Sequence, residues 1–196
     1  MMLKFQHTKF HSVILLPPGY EIYDFSKAYD PERMRDSAYG VGKYNEKRMG
    51  MYDHDLFSDG RNIHVGIDIA APVGTEIFAF APGKILFYDY NSARGDYGYT
   101  LVTEHFLEAQ KFYALLGHLS EKSVKQKFIG QGFDRGEVLG WVGDKHENGG
   151  WNPHLHFQLS VKPPIKADLP GVVAEKDLAQ ALEDFPDPRI VLGPVY

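Results

Sequence analysis

The run Asn-Gly-Gly-Trp-Asn-Pro-His-Leu-His-Phe-Gln, from Asn148 to Gln158, limits the possible folds of this chain more than any other stretch. His154 and His156 alternate with Leu155, Phe157 and Leu159, and a period of two is that of a β-strand with unlike faces. One face packs; the other carries two imidazoles. A strand that only built a core would forgo apolar burial on that second face, whereas a metal or catalytic site needs nitrogen donors converging on one point. Two upstream segments, His64-Val65-Gly66-Ile67-Asp68 and Gly117-His118-Leu119, supply companions of the same chemical type.

From Ser58-Asp59-Gly60 onward, short β-branched and aromatic runs are separated by Gly, Pro, Asn and Asp, the spacing of an all-β domain. Strands are predicted near Ile63 to Ile69, Glu76 to Ala79, Gly83 to Tyr90, Tyr99 to His105, Lys111 to His118, Glu137 to Val142 and His154 to Val161. The long loops Asn91 to Gly98 and Asp144 to Pro153 lie at strand ends, where substrate contacts usually sit. Helical spacing of Leu178, Ala181, Leu182 and Phe185 predicts a helix over 175–185, stopped by Pro186, with 187–196 as a tail laid on the domain. A second short helix is predicted from Asp30, followed by Pro31, to Ala38. The reading is a mainly β fold with short helical extensions. Residues 1–60 form an N-terminal extension without a strong period, too rich in Tyr and Phe for a disordered tail and so expected to pack on the core, where it is able to cover a groove. Residues 61–165 form the main domain and 166–196 a C-terminal helix and tail.

Composition removes several functions. A net charge of −5 with scattered Lys and Arg offers no nucleic-acid face. With no cysteine there is no thiolate zinc site, which leaves His and carboxylates as the strong ligands. No stretch is apolar for long enough to span a bilayer. The early apolar run Val13 to Leu16 is too short for a secretory signal and meets Pro17-Pro18, so the expectation is an intracellular protein or a processed periplasmic or secreted form. Compartment and oligomeric state stay open.

Spacing sets conditions on any shared site. In a straight strand His64 and Asp68 lie about 13 Å apart, too far to meet at one ion, so the chain must bend, and Gly66 is where a bend or bulge is expected. His154 and His156 are about 7 Å apart, so one can ligate while the other reaches past the metal. His7, His11, His54, His105 and His146 are taken as structural or surface residues. Trp151, a large aromatic in a polar loop just before the site, is placed at a substrate groove together with Asn148.

His64-x-x-x-Asp68, then Gly-His118-Leu, then His154-Leu-His156-Phe, in this order, resemble the three signatures of the lysostaphin or LytM-type zinc endopeptidases, which cut peptide bonds in peptidoglycan. The segments 71–75, 81–85 and 130–144 resemble the strand and turn scaffold of that family, and the likeness covers about 63–161. The resemblance implies an antiparallel β-sheet peptidase fold of the duplicated hybrid type. It implies Zn²⁺ held by His64, Asp68 and His156, His118 and His154 as the catalytic pair, and a Gly- or D-Ala-containing peptide or peptidoglycan as substrate. Three features depart from the pattern: 146–152 replaces a small Ser/Thr/Gly-rich approach, Gln158 stands where Glu is common, and an export signal is missing. The Asn-Gly-Gly-Trp-x-Pro-His-Leu-His-Phe-Gln form, with Pro186-Asp187-Pro188 near the end, looks like a peptidase-like module found beside aminotransferase and kinase-like domains, which implies a cytoplasmic substrate as an alternative. A zinc-bound but catalytically idle peptide-binding module is a further alternative. Biotinyl or lipoyl carriers share similar turns, but Lys84 and Lys145 lack the flanking signature of a carrier lysine.

Overall fold

The computed structural model describes residues 3–27, 30, 39–52, 55–57 and 59–196. The helix predicted at 30–38 and the residue His54 fall outside them, apart from Asp30. Thirteen strands are present among the described residues. The largest sheet has eight, in the order β1 (Glu21–Ile22), β2 (Gly40–Gly42), β5 (Ile67–Ala70), β12 (His154–Ser160), β9 (Gln110–Leu119), β8 (Gly98–Leu107), β7 (Gly83–Asn91) and β10 (Gly132–Phe133). Only the β1 and β2 pair is parallel; the others are antiparallel. A three-stranded sheet joins β13 (Val172–Val173), β4 (Ile63–His64) and β3 (Glu46–Lys47), and β6 (Glu76–Phe78) pairs with β11 (Val138–Trp141).

β12 occupies an inner position between β5 and β9, and every one of its residues is buried. Leu155, Phe157 and Leu159 join a core with Ile67, Ile69, Phe80, Phe112 and Leu116, and burial of each such side chain contributes about 1.5–3 kcal/mol. Phe80 meets Phe157 edge-on, with centroids 5.6 Å apart. This apolar layer fixes the register of β12, and a one-residue slip would put both histidines into the core.

The strand predicted over 63–69 is two strands in different sheets, β4 and β5, with the bend at Val65-Gly66. Gly66 is needed there for space and not for a left-handed backbone, since its φ is not positive. A Cβ on it would lie 2.5 Å from His156 Cε1 and 3.1 Å from the Phe157 carbonyl oxygen.

The N-terminal segment contributes β1 and β2 to the edge of the main sheet and β3 to the small one. At the C-terminal end a short turn of 3₁₀ helix, Glu175–Asp177, leads into α1 (Leu178–Asp184). The segment read as a tail contains a second short helix, α2 (Arg189–Leu192), whose Val191 is buried against the main core. No helix among the described residues is long and apolar enough to cross a membrane.

Candidate metal centre

Register places the acceptor groups. His156 on β12 is paired with Asp68 on β5 and, on its other side, with Gly117 on β9. The bend at Gly66 then brings His64 back over the same point. His64 Nε2 lies 3.0 Å from His156 Nδ1 and 3.2 Å from Asp68 Oδ1, and His156 Nδ1 lies 3.0 Å from Asp68 Oδ1. All three residues are buried. A tetrahedral zinc with bonds of about 2.0–2.1 Å has its ligand atoms roughly 3.3 Å apart, so the triangle formed by these three atoms fits such an ion.

The outward nitrogens decide which lone pairs point inward. His156 Nε2–H donates to Gln158 Oε1 at 3.0 Å, and Gln158 Nε2 in turn donates to the Pro170 carbonyl at 3.2 Å, which fixes the amide's orientation. His156 therefore presents Nδ1 as an acceptor. The Nδ1 of His64 is 3.0 Å from the Lys43 carbonyl and 2.9 Å from Arg48 Nη2, two neighbours that demand opposite tautomers, because a guanidinium only donates. In the ligating tautomer Nδ1–H donates to the Lys43 carbonyl, an oxygen Arg48 Nη2 also approaches at 3.5 Å, and Nε2 keeps its lone pair. Outer hydrogen bonds of this kind orient metal-ligating histidines.

His118 and His154 stand beside this triangle with ring centroids 4.2 Å apart. His118 Nδ1–H donates to the Asn148 carbonyl at 2.8 Å, and His154 Nδ1–H to the Asn152 carbonyl at 2.7 Å. Each thus keeps Nε2 as an acceptor, and His154 Nε2 lies 3.8 Å from Asp68 Oδ1. His118 adopts φ +63°, a left-handed conformation rare for a residue with a Cβ. It is held there by its N–H on the Tyr97 carbonyl and its own carbonyl on the Gly143 N–H.

Burial keeps these imidazoles neutral. It pushes His64 down to about 4, with the Arg48 guanidinium acting in the same direction. Burial, then the neighbouring His154, holds His118 well below the usual histidine range, and burial also lowers His154. Burial alone would raise Asp68, but His64 and Arg48 hold its carboxyl well below the usual range. At neutral pH His64, His118 and His154 are therefore uncharged and Asp68 is ionised.

All five of these residues and Trp151 line one cavity of about 350 Å³. One wall comes from Arg48, Met51, Tyr52, Leu56, Phe57 and Arg61 and the other includes residues of the 166–172 segment. Asn148, expected at the substrate, does not reach the cavity. It is fully buried, and its side chain is spent on its own loop: Oδ1 accepts from the Gly150 and Trp151 N–H groups and Nδ2 donates to the Trp151 carbonyl. His105 is a core residue, bonded to the Pro82 carbonyl and Thr103 Oγ1 and stacked on Phe112. Sequence reasoning missed Arg48, Tyr52 and Tyr97, which also line the cavity. Nothing in their local spacing marks them; Arg48 and Tyr52 come to the site because β2 and β3 pair with β5 and β4, and Tyr97 because β8 pairs with β9 and its carbonyl accepts the His118 N–H.

The fold and this cluster define a mainly antiparallel β protein with a buried His-Asp-His group suited to a metal and two further histidines beside it. Residues 62–167, more than half the chain, match the family model of peptidase family M23, and the chain belongs to that family. It is 34% identical over 134 residues to the DD-carboxypeptidase/endopeptidase Mpg of Neisseria meningitidis serogroup B (strain ATCC 13091 / M2091), covering 61% of this chain and 28% of that protein. It is 30% identical over 125 residues to lysostaphin of Staphylococcus staphylolyticus, covering 64% of this chain and 24% of that protein. The chain thus spans about a quarter of the length of these curated relatives. Its fold is similar to the catalytic domain of lysostaphin from Staphylococcus simulans, with a TM-score of 0.51 at 19% identity over 84% of this chain and 98% of that one.

Proposed function

We propose that the chain is a zinc-dependent endopeptidase that hydrolyses amide bonds in short, flexible peptides of peptidoglycan type, containing Gly or D-Ala. The observation that carries this reading is the convergence of three acceptor atoms, His64 Nε2, Asp68 Oδ1 and His156 Nδ1, within 3.2 Å of one another, beside two imidazoles whose Nε2 atoms are also acceptors. Three buried lone pairs at that range repel one another unless a cation lies among them. Bound there, zinc would supply Lewis acidity and a water molecule whose pKa is brought toward neutral.

The chain's own groups then have defined work. His118 and His154 are neutral and tied at Nδ1 to carbonyls, so Nε2 of one can take a proton from the attacking water and later give it to the leaving nitrogen. Their rings are close enough that a proton gained by one disfavours protonation of the other. The small cavity, walled by Trp151 and the 166–172 segment, favours peptides without bulky side chains. Names of the relatives, a DD-carboxypeptidase/endopeptidase and a lysostaphin, support peptidoglycan as the substrate class.

The test is incubation of the zinc-loaded protein with peptidoglycan, cross-bridge peptides and pentaglycine, each with a chelator control. Cleavage that the chelator abolishes and zinc restores is expected. A fully metallated chain that cleaves none of them would instead be a zinc-bound peptide-binding module.

A further inference from the structure

We infer that Arg48, with Glu46 as its counter-charge, is a positioning residue that holds Asp68 and His64 in their metal-ligating pose. The inference rests on the metal site proposed above. Arg48 lies outside the 62–167 segment that matches the family model, so the family match assigns it nothing.

Arg48 is only 1% exposed, one of the largest fully buried side chains in the protein. Its Nη1 donates to Asp68 Oδ2 at 2.7 Å, which reserves that oxygen and leaves Oδ1 facing His64 Nε2 and His156 Nδ1. Its Nη2 borders the other edge of His64, 2.9 Å from Nδ1. When Nδ1 is the acceptor it takes Arg48's hydrogen bond; when Nδ1–H serves the Lys43 carbonyl, Arg48 Nη2 shares that carbonyl. In the ligating tautomer Arg48 therefore reaches His64 through the shared Lys43 carbonyl and not through a bond to the ring, and its bond to Asp68 carries the positioning. Nε donates to Glu46 Oε2 at 3.2 Å, and Glu46 Oε1 accepts from the Phe25 N–H. The guanidinium also lies over the Phe25 ring, 5.1 Å from its centroid.

The sheets are built to admit this side chain. Gly42 is paired with Asp68 and Glu46 with His64. A Cβ on Gly42 would stand 2.9 Å from Arg48 Nη2 and 3.4 Å from Asp68 Cβ, so the strand beside the ligand leaves room for the guanidinium. Removing a guanidinium from water costs several kcal/mol, and an apolar side chain would fill the volume more cheaply. A cation beside a cation-binding site would also oppose the metal, but Glu46 brings the opposing charge. Arginine and glutamate together form a neutral pair whose donor end is spent on a ligand.

The experiment uses the full chain with three variants: Arg48→Met, Arg48→Lys, and the double variant Glu46→Gln with Arg48→Met, which leaves no stranded carboxylate. Zinc affinity is read by competition with a chromophoric chelator, coordination from the visible absorption of the Co²⁺-loaded protein, and folding by circular dichroism. The double variant is expected to stay folded, to bind zinc about 10–100-fold more weakly, and to show an altered Co²⁺ spectrum. Arg48→Lys should not rescue, because one ammonium cannot serve Asp68, Glu46 and the edge of His64 together. A folded double variant with wild-type zinc affinity and Co²⁺ spectrum overturns the inference; should neither methionine variant fold, wild-type values in Arg48→Lys overturn it. Wild-type protein that binds zinc yet cleaves nothing would sink the peptidase reading and leave this one standing, whereas wild-type protein that binds no zinc sinks both.

Discussion

Gln158 does for His156 what backbone carbonyls do for His64, His118 and His154: it takes the outward N–H and so aims the other nitrogen inward. Replacing it with Leu leaves the buried His156 Nε2–H only the more distant Tyr97 hydroxyl, at 3.5 Å, and zinc affinity should fall by about 10–100-fold in a chelator competition. The non-ligand histidines should behave differently. His118→Ala and His154→Ala are each expected to lower turnover by about 10²–10⁴-fold while zinc content stays near wild type, whereas His64→Ala should empty the site. Metal analysis of the same preparations used for the rate measurements separates the two roles, and a His118→Ala protein as zinc-poor as His64→Ala would refute the division. The histidines and Asp68 were legible in the sequence because their types and alternation are local properties. Arg48 was not, since only the pairing of β2 and β3 with β5 and β4 brings it to Asp68.

At the scale of elements, the bend between β4 and β5 does the main geometric work, because it turns an extended separation of about 13 Å into a contact of 3.2 Å. Gly66→Ala would push a methyl group into the His156 ring at 2.5 Å. Overpacking of this kind costs about 1–3 kcal/mol, and here the ring that must yield is a ligand. The expected result is a lower melting temperature together with weaker zinc binding; a drop in melting temperature alone would mean that the ring is displaced without disturbing the site. The bend itself was foreseen from the need for His64 and Asp68 to meet, but its cause, close approach of a ring, depends on a strand far away in sequence. The longer strands were legible for the same reason as the histidines, as runs of several β-formers between turn residues. β1, β3, β10 and β13 have only two residues each, too few to display a period. Asn148 was read for a substrate role, but a polar residue in a glycine-rich loop serves equally well to hold the loop together, and its buried side-chain amide makes those bonds here.

Across the whole molecule, burial holds several histidines neutral, and that ties stability to pH. His105 offers the cleanest case because it belongs to the core and not to the metal cluster. Burial lowers it to about 4, partly offset by its bond to the Pro82 carbonyl, against about 6.5 in an unfolded chain. Below pH 6.5 the unfolded chain therefore binds a proton that the folded one refuses. The stabilisation is complete above about 6.5 and is lost as pH falls toward 4, where the loss amounts to about 3 kcal/mol. His64, His118 and His154 are lowered in the same direction, so metal-free protein should lose stability steeply across that interval. Glu108 acts in a lower window. Its carboxylate accepts the Gln6, His7 and Thr8 N–H groups at the tip of the β8–β9 hairpin, and these bonds hold it down to about 2, so its contribution persists until pH falls below the ordinary carboxylate range. Denaturant unfolding of chelator-treated protein between pH 7 and 4 checks the argument. His105→Gln, which never gains a charge, should be less stable than wild type at pH 7 but should close that gap by about 3 kcal/mol at pH 4. Parallel pH profiles for variant and wild type would mean that His105 protonates in the folded core as readily as in the unfolded chain.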